Sequence, residues 1–198
     1  MRKLVGLMTL AALGLTLASF ASAEGEKKEV AVAVDVVAHA TEGGWQFLGV
    51  DGCKICHKSE KSGNQHGLWM ESKHAKAFEV LGTEEAKTVA VAAGVEGNPQ
   101  EADACLQCHV TGHGAKAEMF GPKYTKEEGV GCESCHGAGS GYKAKKTMED
   151  RTASIAAGLI MPTEAQCQTC HNEKSPTFKE FKYAEMVKTI AHPTPKSE

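Results

Sequence analysis

Cys53-Lys54-Ile55-Cys56-His57, Cys105-Leu106-Gln107-Cys108-His109, Cys132-Glu133-Ser134-Cys135-His136 and Cys167-Gln168-Thr169-Cys170-His171 decide how this chain is read. They are four copies of one pentapeptide pattern, C-x-x-C-H, and they use all eight cysteines of the 198-residue sequence. The spacing has a chemical reason. Two thiols three residues apart reach the two vinyl-derived carbons on adjacent edges of one porphyrin, while the next residue places an imidazole under the iron. Chance gives on the order of 0.01 such pentapeptides in a chain of this length and Cys and His content. Cys53, Cys56, Cys105, Cys108, Cys132, Cys135, Cys167 and Cys170 are therefore candidate attachment points for four haem c groups. His57, His109, His136 and His171 are the candidate proximal ligands.

Two other chemistries use paired cysteines. A zinc ribbon is built from C-x-x-C units, but it has no need of His directly after every second Cys. A thioredoxin-like redox centre uses one motif beside a βαβ pattern, and no such pattern is visible. A disulfide framework, the usual expectation for eight cysteines in an exported chain, does not account for the regular spacing.

The first 23 residues bear on that export. Arg2 and Lys3 precede an uncharged run from Leu4 that closes on the small-residue triplet Ala21-Ser22-Ala23, the pattern of a cleaved secretory signal. A transmembrane anchor is the alternative, but the run contains Gly, Thr and Ser and ends in a processing signal. No later segment approaches the roughly 20 apolar residues that span a bilayer, so the mature chain is expected to be periplasmic without a membrane span. Loss of Arg2 and Lys3 leaves 20 basic and 25 acidic residues, a net charge near −5. Nucleic acid is an unsuitable partner for such a surface, whereas basic patches on redox proteins suit it.

Residues 24–44 read as a flexible N-terminal segment with a short extended piece around Val30 to Val37, leaving 45–198 as the functional domain. Trp69, Met70, His74, Ala77, Phe78 and Leu81 recur at helical spacing within a helix expected over 64–81. A second helix is expected from Thr83 to Ala93 and a third from Tyr142 to Gly158, the latter carrying Met148. Thr163 and Gln166 form a candidate capping box before the fourth motif. Ser175-Pro176 opens a terminal helix whose apolar side is Phe178, Phe181, Met186, Val187 and Ile190, and His192-Pro193 closes it. Aromatic residues are only 6% of the chain and glycines number 21, too poor a mixture for a conventional core. The expected fold is mainly α and loop-rich, with four covalent haems as its interior and an apoprotein that does not fold alone.

Trp69 to Leu81 with its SKHAKAF run, Cys105 to Gly114, GVGCESCHG over Gly129 to Gly137 and the Phe-rich terminal stretch ending near His192 resemble the tetrahaem cytochrome c554 family of electron carriers. The resemblance implies closely stacked haem pairs, three bis-His haems and one with an open axial position, the second in chain order. It maps a distal ligand of the third haem onto His74 and one of the fourth onto His192. The family's distal ligand for the first haem is a His shortly after the third motif. This sequence has no His between His136 and His171, and Met148 is the proposed substitute.

The remaining histidines are His39, His66 and His113. His113 lies four residues after His109, so a continued helix would put both on one face, away from the opposite side of the same haem. His66 and His39 could each close the second haem, though surface exposure is the simpler state for both. The expected function is electron transfer between redox partner proteins, with an inner-membrane quinol dehydrogenase as a candidate donor and no protein catalytic residue. The alternative is reduction of nitrite, nitric oxide or hydroxylamine at an open haem. A subunit docked onto a larger redox complex is a third class.

Overall fold

The computed structural model describes residues 32–192, which fall within one compact unit of the chain. The signal-like leader, residues 24–31 and Pro193 onward lie outside the described residues. The described chain is mainly helical, with short helices joined by long loops. These are α1 (Val36–Gly43), α2 (Val50–His57), α3 (Gln65–Glu71), α4 (Ala77–Val80), α5 (Glu84–Ala92), α6 (Asp103–His109), α7 (Cys132–His136), α8 (Lys145–Met148), α9 (Arg151–Ala156), α10 (Glu164–Cys167) and α11 (Tyr183–Met186).

Where the expected extended piece over 30–37 should continue, the chain turns into α1. Asp35 accepts from the Val37 and Ala38 N–H groups at 2.9 and 3.0 Å and so starts a helix that alternation alone does not announce. The helix expected over 64–81 is interrupted. Ser72 is extended (φ −80°, ψ 161°), with its hydroxyl bonded to the Trp69 carbonyl at 2.7 Å, and His74 lies in a separate 3-10 turn, His74–Lys76. The expected helix over 142–158 is split into α8 and α9, because Asp150 begins a new helix by accepting from Ala153 N–H at 3.0 Å. The capping box before the fourth motif does not form. Thr163 makes no side-chain cap bond, and the Gln166 carboxamide oxygen accepts from Val34 N–H at 2.9 Å, tying the N-terminal segment to α10. The terminal helix shortens to α11 and a 3-10 turn, Val187–Thr189. Only α5 follows its expected span, capped by Thr83.

Apolar packing is sparse. Eleven hydrophobic residues are buried among the described residues, and the innermost cluster is Ala40, Phe47 and Ala138. Phe47 contributes most; burying a Phe side chain is worth about 3 kcal/mol. Its backbone pairs with that of Phe120 through Phe47 N–H to the Met119 carbonyl (2.8 Å) and Gly121 N–H to the Phe47 carbonyl (2.7 Å), and the two rings lie 5.7 Å apart. Trp45 reaches across Gly141 and Gly158. A β-carbon at either site would stand within 2.6 Å of the indole, so glycine is required for that approach.

Glu133, 2% exposed, is the most connected polar group of the interior. Its carboxylate accepts from Leu48 N–H (2.8 and 2.9 Å), Gly49 N–H (2.9 Å) and Gly139 N–H (2.6 Å). Glu128 accepts from the next amide, Val50 N–H, at 2.9 Å. Two carboxylates thus satisfy the free amides at the start of α2 and lean on its positive dipole end. The approach needs Gly49, at φ 79°, where a β-carbon would lie 2.7 Å from Tyr124 Cα.

Glu133→Gln turns one acceptor oxygen into a donor facing backbone donors, and is expected to cost about 2 kcal/mol in denaturant unfolding of the holoprotein. Burial pushes the Glu128 carboxyl up to about 7, against its ordinary 4.5. Between those values the folded chain keeps a proton the unfolded chain has released. The contribution of this group is therefore full below pH 4.5 and lost as pH rises through about 7. Glu128→Gln, whose amide oxygen still accepts from Val50, should flatten the fall of the unfolding midpoint over that window. Equal slopes in the two proteins would sink the assignment.

Candidate haem-attachment site

The four motifs sit on four short helical segments. The first occupies the C-terminal half of α2, where Cys56 is exposed and Ile55 is 69% exposed. The second fills α6 and the third fills α7. The fourth begins at the end of α10 and continues through the turn to His171. Thr111, 3% exposed, holds α7 in place: its hydroxyl accepts from Gly131 N–H at 2.8 Å and lies 2.8 Å from the Ser134 hydroxyl.

Three of the four motif imidazoles have one ring nitrogen committed. His57 Nδ1 lies 3.2 Å from Gln65 Oε1, His109 Nδ1 lies 2.6 Å from the Ala77 carbonyl, and His136 Nδ1 lies 3.2 Å from the Ile160 carbonyl. With Nδ1 donating, the tautomer is set and Nε2 is left with its lone pair for a metal. His171 instead stacks on Phe181, ring centres 4.8 Å apart and planes within 19°. An open cleft of about 660 Å³ lies beside it, lined by Phe178 and Phe181.

Two of these imidazoles face a histidine from a remote part of the chain. His171 faces His74 at 6.0 Å between ring centres, and His136 faces His192 at 5.9 Å. Two imidazoles bonded at about 2 Å to one metal between them would place their ring centres about 6 Å apart, so the residues present fit a bis-His iron at both places. The pairing reverses the expected one. His74 stands opposite the fourth motif and His192 opposite the third, because Val130 N–H holds the His74 carbonyl at 3.1 Å and turns that segment past α7. Burial lowers the proton affinity of His74 and His136, with the Ile160 carbonyl partly opposing it at His136. Neutral imidazole is the ligating form.

Among the described residues neither His57 nor His109 faces a second imidazole in this way. His39 points Nε2 at the Gly158 carbonyl, 3.3 Å away, and packs on Trp45. His66 packs on Trp69. His113 is not on a continued helix, since Val110 is extended; it folds back to Asp103 at 3.4 Å. Met148 is half-buried at the end of α8, which packs on α9.

The thiols converge by pairs. Cys53 lies beside Cys132, and Cys108 beside Cys170, so that motif one meets motif three and motif two meets motif four. The neighbouring thiol and burial together push the Cys53 and Cys108 thiols up, and burial pushes Cys135 up to about 12. All eight cysteines are free, and among the described residues no three His, Cys, Asp or Glu side chains converge on one point as a zinc site would need. Sequence reasoning missed Gln65, Glu133 and Phe181; nothing in their spacing marks what they touch.

Residues 52–137, spanning three motifs and His74, match the family described as cytochrome c554 and c-prime. No curated protein and no solved structure matches the chain. No helix of the described residues is long and apolar enough to cross a membrane. With three C-x-x-C-H helices and their oriented imidazoles inside the matched stretch, the match supports assignment of the chain to the cytochrome c554 family, c-type cytochromes with covalently bound haem c.

Proposed function

We propose that this protein is a periplasmic tetrahaem electron carrier, exported by cleavage after Ala23 and passing electrons between redox proteins. The two facing histidine pairs, each joining a motif His to a distant one at about 6 Å, carry the reading. Each pair of motif cysteines would hold one macrocycle through two thioethers. When bound, haem c supplies reversible one-electron chemistry. The chain's own residues fix its geometry. Gln65 and the Ala77 and Ile160 carbonyls orient three proximal imidazoles, and His74 and His192 close the fourth and third sites. The contacts of Cys53 with Cys132 and of Cys108 with Cys170 support two close pairs, first with third and second with fourth, a short path for electrons.

Met148 is proposed as the sixth ligand of the first site. The absence of a facing imidazole at His109 favours a second reading, reduction of a small nitrogen oxide or hydroxylamine at the second site. Turnover of nitrite, nitric oxide or hydroxylamine by the reduced holoprotein discriminates, since a carrier with an open site binds carbon monoxide yet turns over none of them.

Four haems per chain are expected by pyridine haemochrome, and fewer would sink the tetrahaem reading. His74→Ala and His192→Ala should each turn one low-spin signal high-spin in electron paramagnetic resonance with three or four haems retained. Met148→His is expected to lower one potential, since imidazole favours ferric iron more than thioether does. An unchanged set of potentials refutes Met148 as a ligand.

A further inference from the structure

The two histidine pairs are not equivalent in what stands behind them. At the third site both rings are backed by backbone carbonyls: His136 Nδ1 by Ile160 at 3.2 Å and His192 Nδ1 by Ile190 at 2.8 Å. At the fourth site neither ring has a protein acceptor among the described residues. His171 lies flat on Phe181, and His74 is held through its backbone carbonyl. An N–H donated to a carbonyl makes an imidazole a stronger donor to the metal and so favours the ferric state.

We infer that the His74/His171 site has the higher reduction potential of the two bis-His sites, so that electrons arriving at the His136/His192 site move on to it. The inference rests on the ligation proposed above. The step is a one-electron exchange. With haem bound, His136 and His192 would hold the iron that gives up one electron (ferrous to ferric) and His74 and His171 the iron that takes it (ferric to ferrous), with no proton or covalent bond changing hands. The first electron comes from the donor protein.

Charges act in the same direction. Glu133 places a buried carboxylate inside the third motif, within electrostatic reach of Cys53 and Cys132, and a buried anion holds the oxidised state. Burial of a ferric centre alone would push the third site upward, and Glu133 offsets it. Near the fourth motif Lys174, within reach of Cys108, is exposed, so its charge is screened by solvent and salt. The acids that line the cleft beside His171, Glu173 and Glu180, are exposed and screened by solvent and salt. Phe181 is then a positioning residue, which fixes the His171 ring by stacking and leaves its second nitrogen without a carbonyl.

Potentiometric titration of the holoprotein, followed by electron paramagnetic resonance, tests the order. His192→Ala should remove the lower of the two bis-His steps and His74→Ala the higher. Phe181→Asn, which sets a carboxamide oxygen beside His171, should lower the higher step, whereas Phe181→Leu should not. The inference is overturned if His74→Ala removes the lower step, or if the two steps coincide. Loss of no low-spin signal in either His variant overturns the ligand pairing itself, which is a different failure and shows in the spectrum before any potential is measured.

Discussion

One buried carboxylate joins the two halves of the attachment scaffold. Glu133 belongs to the third motif, yet its oxygens are spent on the amides of Leu48 and Gly49, which open the helix of the first motif, and on Gly139. Burial pushes a carboxyl that is 2% exposed toward its protonated form, and here four N–H contacts from two separated segments oppose that and favour the carboxylate. The consequence is geometric. α2 and α7 cannot slide apart without leaving a buried charge unpaired, so Cys53 stays against Cys132. In a chain with eleven buried hydrophobic residues among those described, such polar ties replace much of what a larger apolar core would do.

Covalent chemistry explains why the attachment points were legible in the sequence. Haem attachment needs two thiols and an imidazole within five consecutive residues, and a local requirement leaves a local pattern. The α5 helix was legible for a similar reason, with Thr83 and the acids Glu84 and Glu85 packed into its first turn. Other elements depended on competition between hydrogen bonds that periodicity does not weigh. Ser72 gives its hydroxyl to the Trp69 carbonyl and breaks an apparently continuous helix. Gln166 serves Val34, 132 residues away in the chain, instead of a local cap.

The pairing of distal histidines was the least legible feature. His74 and His192 were recognisable as candidates, but which motif each faces is decided by where the chain returns in space. The bond from Val130 to the His74 carbonyl, which turns that segment, spans 56 positions. Glu133 was equally opaque, because an acid between two cysteines reads as a solvated side chain until the loop of residues 47–49 is folded over it.

The position of His192 bears on how such a chain matures. The imidazole that faces His136 lies later in the chain than both members of the other pair, His74 and His171. In order of synthesis, the imidazole facing the third motif comes after both imidazoles of the His74/His171 pair. A truncated product would keep every thiol and every proximal histidine while lacking that final closure. Closure of the His136 side is thereby tied to a part of the chain 56 positions further on, whereas the fourth motif meets an imidazole made before it.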